Sequence, residues 1–149
     1  MRLLLILSAA FFAACSPPPP PAEKAQTDPT TEPWYSQTVD QLAAMDRDAG
    51  KLLQSGQSDQ AAAIITRGQP FLNRLLSVPR PTLAAMEAVS DLDQLYGQML
   101  LGNHYYGSAR LLFQKNVTRW RTWKPQTPDT ARRLKLALSG IAECDRHIE

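Results

Sequence analysis

The sequence predicts an all-α domain of about five amphipathic helices packed as antiparallel hairpins. Three observations carry this: apolar residues recur at three- and four-residue spacing in five successive segments, no period-two run is sustained anywhere, and Gly, Pro, Ser and Asn punctuate the gaps. The 149 residues are 44% hydrophobic and 20% charged, which suits one modest domain with its own core. A formal net charge of +2 is too small by itself to argue for a polyanionic partner.

Helical spacing begins at Trp34, and Val39, Leu42, Met45, Ala49 and Leu52 form one apolar face of the first helix. Gly56 and Ser58 mark the next turn, with Ser58 the expected N-cap of a second helix that carries Ala61, Ile64, Ile65, Gly68, Leu72, Leu75 and Leu76. Pro70 is expected to bend or break it, because proline lacks the N–H of the helical ladder. Ser77 to Pro81 stops that helix, and Pro81 suits the first turn of a third, with Met86, Val89, Leu92, Tyr96, Met99 and Leu100 on its stripe. Gly102 and Asn103 end the third.

The fourth helix is expected to place Tyr105, Ala109, Leu112, Phe113, Asn116, Val117 and Trp120 on one face and to run out at Lys124-Pro125. Thr127-Pro128-Asp129 is a restart signal: a cap, a proline in the first turn and an acid facing the positive helix end. Leu134, Ala137, Ile141, Cys144 and Ile148 then define the fifth helix. Cys144 lies on that stripe and reads as a small core residue.

Ala49, Leu52, Gly56, Ala61 and Ile65, and again Gly97, Leu100, Tyr106, Ala109 and Phe113, alternate small and large residues in a way that resembles tetratricopeptide-like helical hairpins. The offset from Ala49 to Gly97 is 48 residues, longer than the ~34-residue repeat, and His104 stands where Gly56 would recur. An up-and-down helical bundle accounts for the same pattern.

Ahead of the helices, residues 1–14 hold Arg2, an apolar stretch and small residues, the pattern of an export signal. A helix from Leu3 to Ala14 would rise only about 18 Å against a hydrocarbon core of about 30 Å, too short to span. The Ala13-Ala14-Cys15 ending resembles the lipobox of bacterial lipoproteins, although Phe12 stands where that motif usually has leucine. The resemblance implies cleavage before Cys15, lipid on Cys15 and membrane attachment through it, and Ser16 in the following position implies the outer membrane, facing the periplasm. Residues 15–33 then contain five consecutive prolines, Pro17 to Pro21, and a polar stretch, expected to act as a spacer ahead of the helical domain at 34–149.

Sites of chemistry are few. The sequence has no Gly-rich phosphate loop, no Gly-x-Ser-x-Gly, no His-Glu-x-x-His and no haem-attachment motif, so neither catalysis nor a cofactor or metal is expected. His104 and His147 fall in unrelated segments. Asp46 with Asp48, and Asp91 with Asp93, are two residues apart, so each pair points to different helix faces; solvated surface is the expected setting.

Recognition is expected instead from Arg110 to Lys135, which holds eight cations and one acid, whereas Asp28 to Asp59 holds six acids and two cations. Arg119, Trp120, Arg121, Trp123, Lys124, Arg132 and Arg133 form the candidate interaction surface, two indoles among cations that suit anionic sugars, lipid headgroups or acidic protein surfaces. The competing account is a packed Trp120, a partly covered Trp123 and a solvated basic face. Two functional classes follow: a lipid-anchored envelope adaptor that binds other proteins through its helical hairpins, or a binder of anionic envelope glycan or lipid through residues 110–135. Nucleic acid is not an expected partner of either.

Overall fold

The computed structural model describes residues 27–148; the export signal, Cys15 and the proline run lie outside the described residues. After a single 3-10 turn at Pro29–Thr31 come α1 (Pro33–Gln54), α2 (Ser58–Leu76), α3 (Leu83–Gly102), α4 (Tyr106–Thr122) and α5 (Pro128–Ile148), with no strand among the described residues. The fold is all-α, as the spacing predicts. α1 packs on α2 and α3, and α3 in turn packs on α4 and α5, so α1/α2 and α3/α4 are successive hairpins with α5 closing the second.

The two hairpin turns are built alike. Gln57 N–H reaches Leu52 C=O at 2.8 Å and Gly56 N–H reaches Leu53 C=O at 3.1 Å; 48 residues later Tyr105 reaches Leu100 at 2.9 Å and His104 reaches Leu101 at 3.1 Å. This bond pair needs a left-handed residue at its centre. Gly56 supplies it at φ 76°, and His104 supplies it at φ 64° without being glycine. A side chain in that conformation costs about 1–2 kcal/mol, which the hydrogen bond between His104 Nδ1 and the Tyr106 hydroxyl, at 2.7 Å, partly offsets.

Several helix details depart from the sequence reading. Ser58 opens α2 rather than capping it, and Gln57 in the cap position makes no side-chain cap bond. Pro70 neither breaks nor ends α2: it is exposed, so the Thr66 carbonyl it leaves unpaired faces the solvent. Pro81 precedes the third helix, whose N-cap is Thr82, accepting from Ala85 N–H at 3.3 Å. In α1 the buried face is Tyr35, Thr38, Leu42 and Ala49, while Val39 is half-buried. Leu76, Tyr105 and Ile148 are exposed, because each sits at a helix end beyond its packing partner. Thr127 does cap α5, accepting from Thr130 N–H at 3.2 Å, and Thr130 Oγ1 accepts from Thr127 N–H at 2.8 Å in return.

Glycine sets the closeness of the second hairpin. A Cβ on Gly97 would lie 2.6 Å from the Phe113 ring and one on Gly140 2.7 Å from it, so this buried ring is sandwiched between α3 and α5. Neither helix can give way without the other. Gly97→Ala and Gly140→Ala are each expected to destabilise by about 1–3 kcal/mol in urea melts. Gly107→Ala, whose added Cβ meets nothing within 4 Å, should be neutral or stabilising. Equal shifts for all three would contradict this packing.

Candidate functional site

The structure divides the predicted basic surface in two. Trp120 is fully buried, donating its indole N–H to Ser90 Oγ at 2.7 Å, with the Arg133 guanidinium 5.7 Å above its ring. Arg133 is itself only 11% exposed and is held by Asp129 at 2.9 Å, Glu87 at 4.0 Å and Asp91. Arg119, equally covered, binds Asp93 at 3.2 Å and Asn116 Oδ1, while Asn116 donates to Ser90 C=O at 2.9 Å. Trp120, Arg119 and Arg133 therefore belong to the polar part of the core rather than to an open surface, because burying the indole draws both guanidinium groups inward. Arg121 and Lys124 remain exposed, Arg132 rests on Asp129 at 2.6 Å, and Trp123 is half-buried edge-on to Trp120.

The same contacts correct the reading of the acidic pairs. Asp91 and Asp93 do point to different sides of α3, but neither is simply solvated: one meets α5 through Arg133, the other α4 through Arg119. Burial lifts both carboxyls above the ordinary range, and the arginines hold back only part of that rise. Asp46, across from them on α1, is pushed up to about 6, first by burial and then by the Asp91 charge, with Arg133 and Arg47 opposing. Asp129, in contrast, is held down at about 2 by the Arg133 and Arg132 hydrogen bonds.

Along the same faces of α1 and α3 runs an open groove of about 430 Å³. Gly50, Leu53 and Gln54 line it from α1, and Leu95, Gln98 and Met99 from α3. Asp46 stands one turn before Gly50 and Asp91 one turn before Leu95, beyond the residues that line the groove, and Asp91 is paired with Arg133. Sequence reasoning missed this site, since its residue types are ordinary and only the α1–α3 pairing brings them together.

The two histidines, far apart in sequence, are linked through Tyr106. His147 stacks on the Tyr106 ring at 4.5 Å and 7°, and Tyr106 bonds to His104, which ties the end of α5 to the start of α4. Arg110 and Asp145, 2.6 Å apart, add a second tie one turn away. Cys144 is buried in that seam, where burial pushes its thiol up.

Titration of Asp46 gives its burial on α1 a measurable signature. Its folded-state value lies above the ordinary 3.8, so the folded chain binds the extra proton and stability falls as pH rises from about 4 through about 6. Asp46→Asn is expected to stabilise by about 1 kcal/mol at pH 7, a figure reduced for solvent screening of a half-buried group, and to change little at pH 4. A gain independent of pH would contradict this. Asp93→Ala should cost about 3 kcal/mol by stranding Arg119, whereas Asp48→Ala, in an exposed pair with Lys51, should cost about 0.5 kcal/mol or less. No family model, curated protein or solved structure matches the chain, so the functional reading rests on this geometry and on the sequence.

Proposed function

We propose that the chain is a lipid-anchored adaptor of the cell envelope, held in the outer membrane through Cys15 and facing the periplasm, which binds other envelope proteins in the α1–α3 groove. The observation that carries the reading is the groove itself: apolar Leu53, Leu95 and Met99 beside the amides of Gln54 and Gln98, with Asp46 and Asp91 one turn away. Such a wall suits an extended or helical segment that places apolar side chains between the helices and hydrogen-bonds the two amides. The lipobox-like Ala13-Ala14-Cys15 supports the anchor, and the polar stretch before α1 supports a domain displayed off the membrane. No helix among the described residues is long and apolar enough to cross a membrane.

Two experiments test the two halves of the proposal. Cys15→Ser is expected to abolish diacylglycerol labelling and release the chain from the outer-membrane fraction; retention through a covalent lipid elsewhere would overturn the anchor. A photocrosslinking residue at Gln98 in intact cells is expected to yield a discrete protein adduct, and the same residue at exposed Gln114 on the outer side of α4 is not. Adducts at Gln114 alone would move the binding site off the groove.

A further inference from the structure

Antiparallel packing gathers the start of α1, the end of α2, the start of α3, the end of α4 and the start of α5 at one end of the bundle. Specific contacts fix this: the Arg74 guanidinium lies 4.0 Å over the Trp34 ring, Tyr35 Oη accepts from Thr82 N–H at 2.8 Å, and Arg133 reaches Glu87. Thr27, the first described residue, lies at this end too, in a cleft with Asp28, Pro79 and Arg80. The chain therefore leaves toward Cys15 from here.

This end is also the cationic one. Arg74, Arg80, Arg121, Lys124, Arg132 and Lys135 are all exposed on it. Opposing them are five acids: Asp28, whose carboxylate is engaged with Thr30, together with Glu32, Asp40, Asp129 and Glu87, which is shared with the covered Arg133. The opposite end sets four cations, Arg47, Lys51, Arg110 and Arg146, against five acids, Asp46, Asp48, Asp59, Glu143 and Asp145. Trp34 and Trp123 are half-buried at the cationic end, and Leu76 is 46% exposed beside Arg74.

We propose that this end docks on anionic phospholipid headgroups of the membrane that holds the anchor. The location rests on the Cys15 reading; the docking chemistry does not. Twelve residue steps separate Cys15 from Thr27, a reach of at most about 40 Å, while the 22 residues of α1 alone are about 33 Å long. An anchored chain is thus held within roughly one domain length of the surface, tether end first. Clustered basic residues are drawn to an anionic leaflet within a Debye length, and half-buried tryptophans suit the interfacial layer. Groove and docking end are distinct, so a docked chain keeps the groove open.

The test uses the mature chain with vesicles of brominated phosphatidylcholine, alone or mixed with brominated phosphatidylglycerol, reading tryptophan quenching and flotation. Buried Trp120 supplies the unquenched background. Quenching is expected only with phosphatidylglycerol present, lost at high salt, and reduced about tenfold or more when Arg80, Arg121, Lys124 and Arg132 are all replaced by Gln. Quenching that is equal in both vesicles, or unchanged in the Gln variant, overturns the docking end. Flotation on phosphatidylcholine alone reports the anchor separately: a chain that floats only with phosphatidylglycerol keeps the docking end and loses the anchor, and one that floats with neither loses both.

Discussion

A buried indole N–H has to find an acceptor, and Trp120 finds it in the Ser90 hydroxyl across the α3–α4 seam. Much of the second half of the domain is arranged around that requirement. Ser90 also accepts, through its carbonyl, from Asn116, and Asn116 in turn bonds Arg119, which can then be buried only because Asp93 lies opposite. On the other side of the ring Arg133 covers the indole and is neutralised by carboxylates of α3 and α5. One large aromatic residue thereby commits three helices and two ion-pair clusters. Removing a single partner would strand a buried charge, which is why such clusters hold their geometry even when their net contribution to stability is small.

That commitment sorts the charges of the chain by place. The guanidinium groups drawn inward serve the core, and those left outside collect where helix ends meet. Polarity along the bundle is therefore a product of topology, with most of the exposed cations at the end where Thr27 lies. On the proposed reading, the groove between α1 and α3 runs along the bundle and away from that end. The left-handed turns at Gly56 and His104 fix how each hairpin closes, and the Phe113 ring between Gly97 and Gly140 fixes how closely α3 and α5 approach. These two devices set the shape that both surfaces depend on.

Much of the fold was legible in residue spacing. The five apolar stripes gave five helices, and Thr127-Pro128-Asp129 announced α5 because cap, proline and acid each act locally. Pro70 misled, since its effect turns on which side of the helix the freed carbonyl faces, and spacing around one residue does not say. The basic segment misled for a different reason. Linear charge density counts Arg119 and Arg133 as surface, whereas their partners Asp93 and Asp91 stand 26 and 42 residues away and become visible only once α3 meets α4 and α5. The groove was invisible for the same reason: Gly50, Leu53, Leu95 and Met99 carry no chemistry that marks them singly. His104 was read as a turn residue, correctly, but its left-handed backbone and its link through Tyr106 to His147 needed the hairpin to be closed.

The central claim is that the bundle stands on the membrane by its cationic end with the α1–α3 groove free. Spin labels at Ser77 and at Ser55, both exposed and at opposite ends, measure it directly in the mature chain on anionic vesicles, because Cys144 is buried away from the label. Relaxation by a paramagnetic lipid headgroup is expected to be strong at position 77 and weak at position 55, and to stay so when the groove is occupied. Equal relaxation at both positions, or stronger relaxation at 55, would contradict the account.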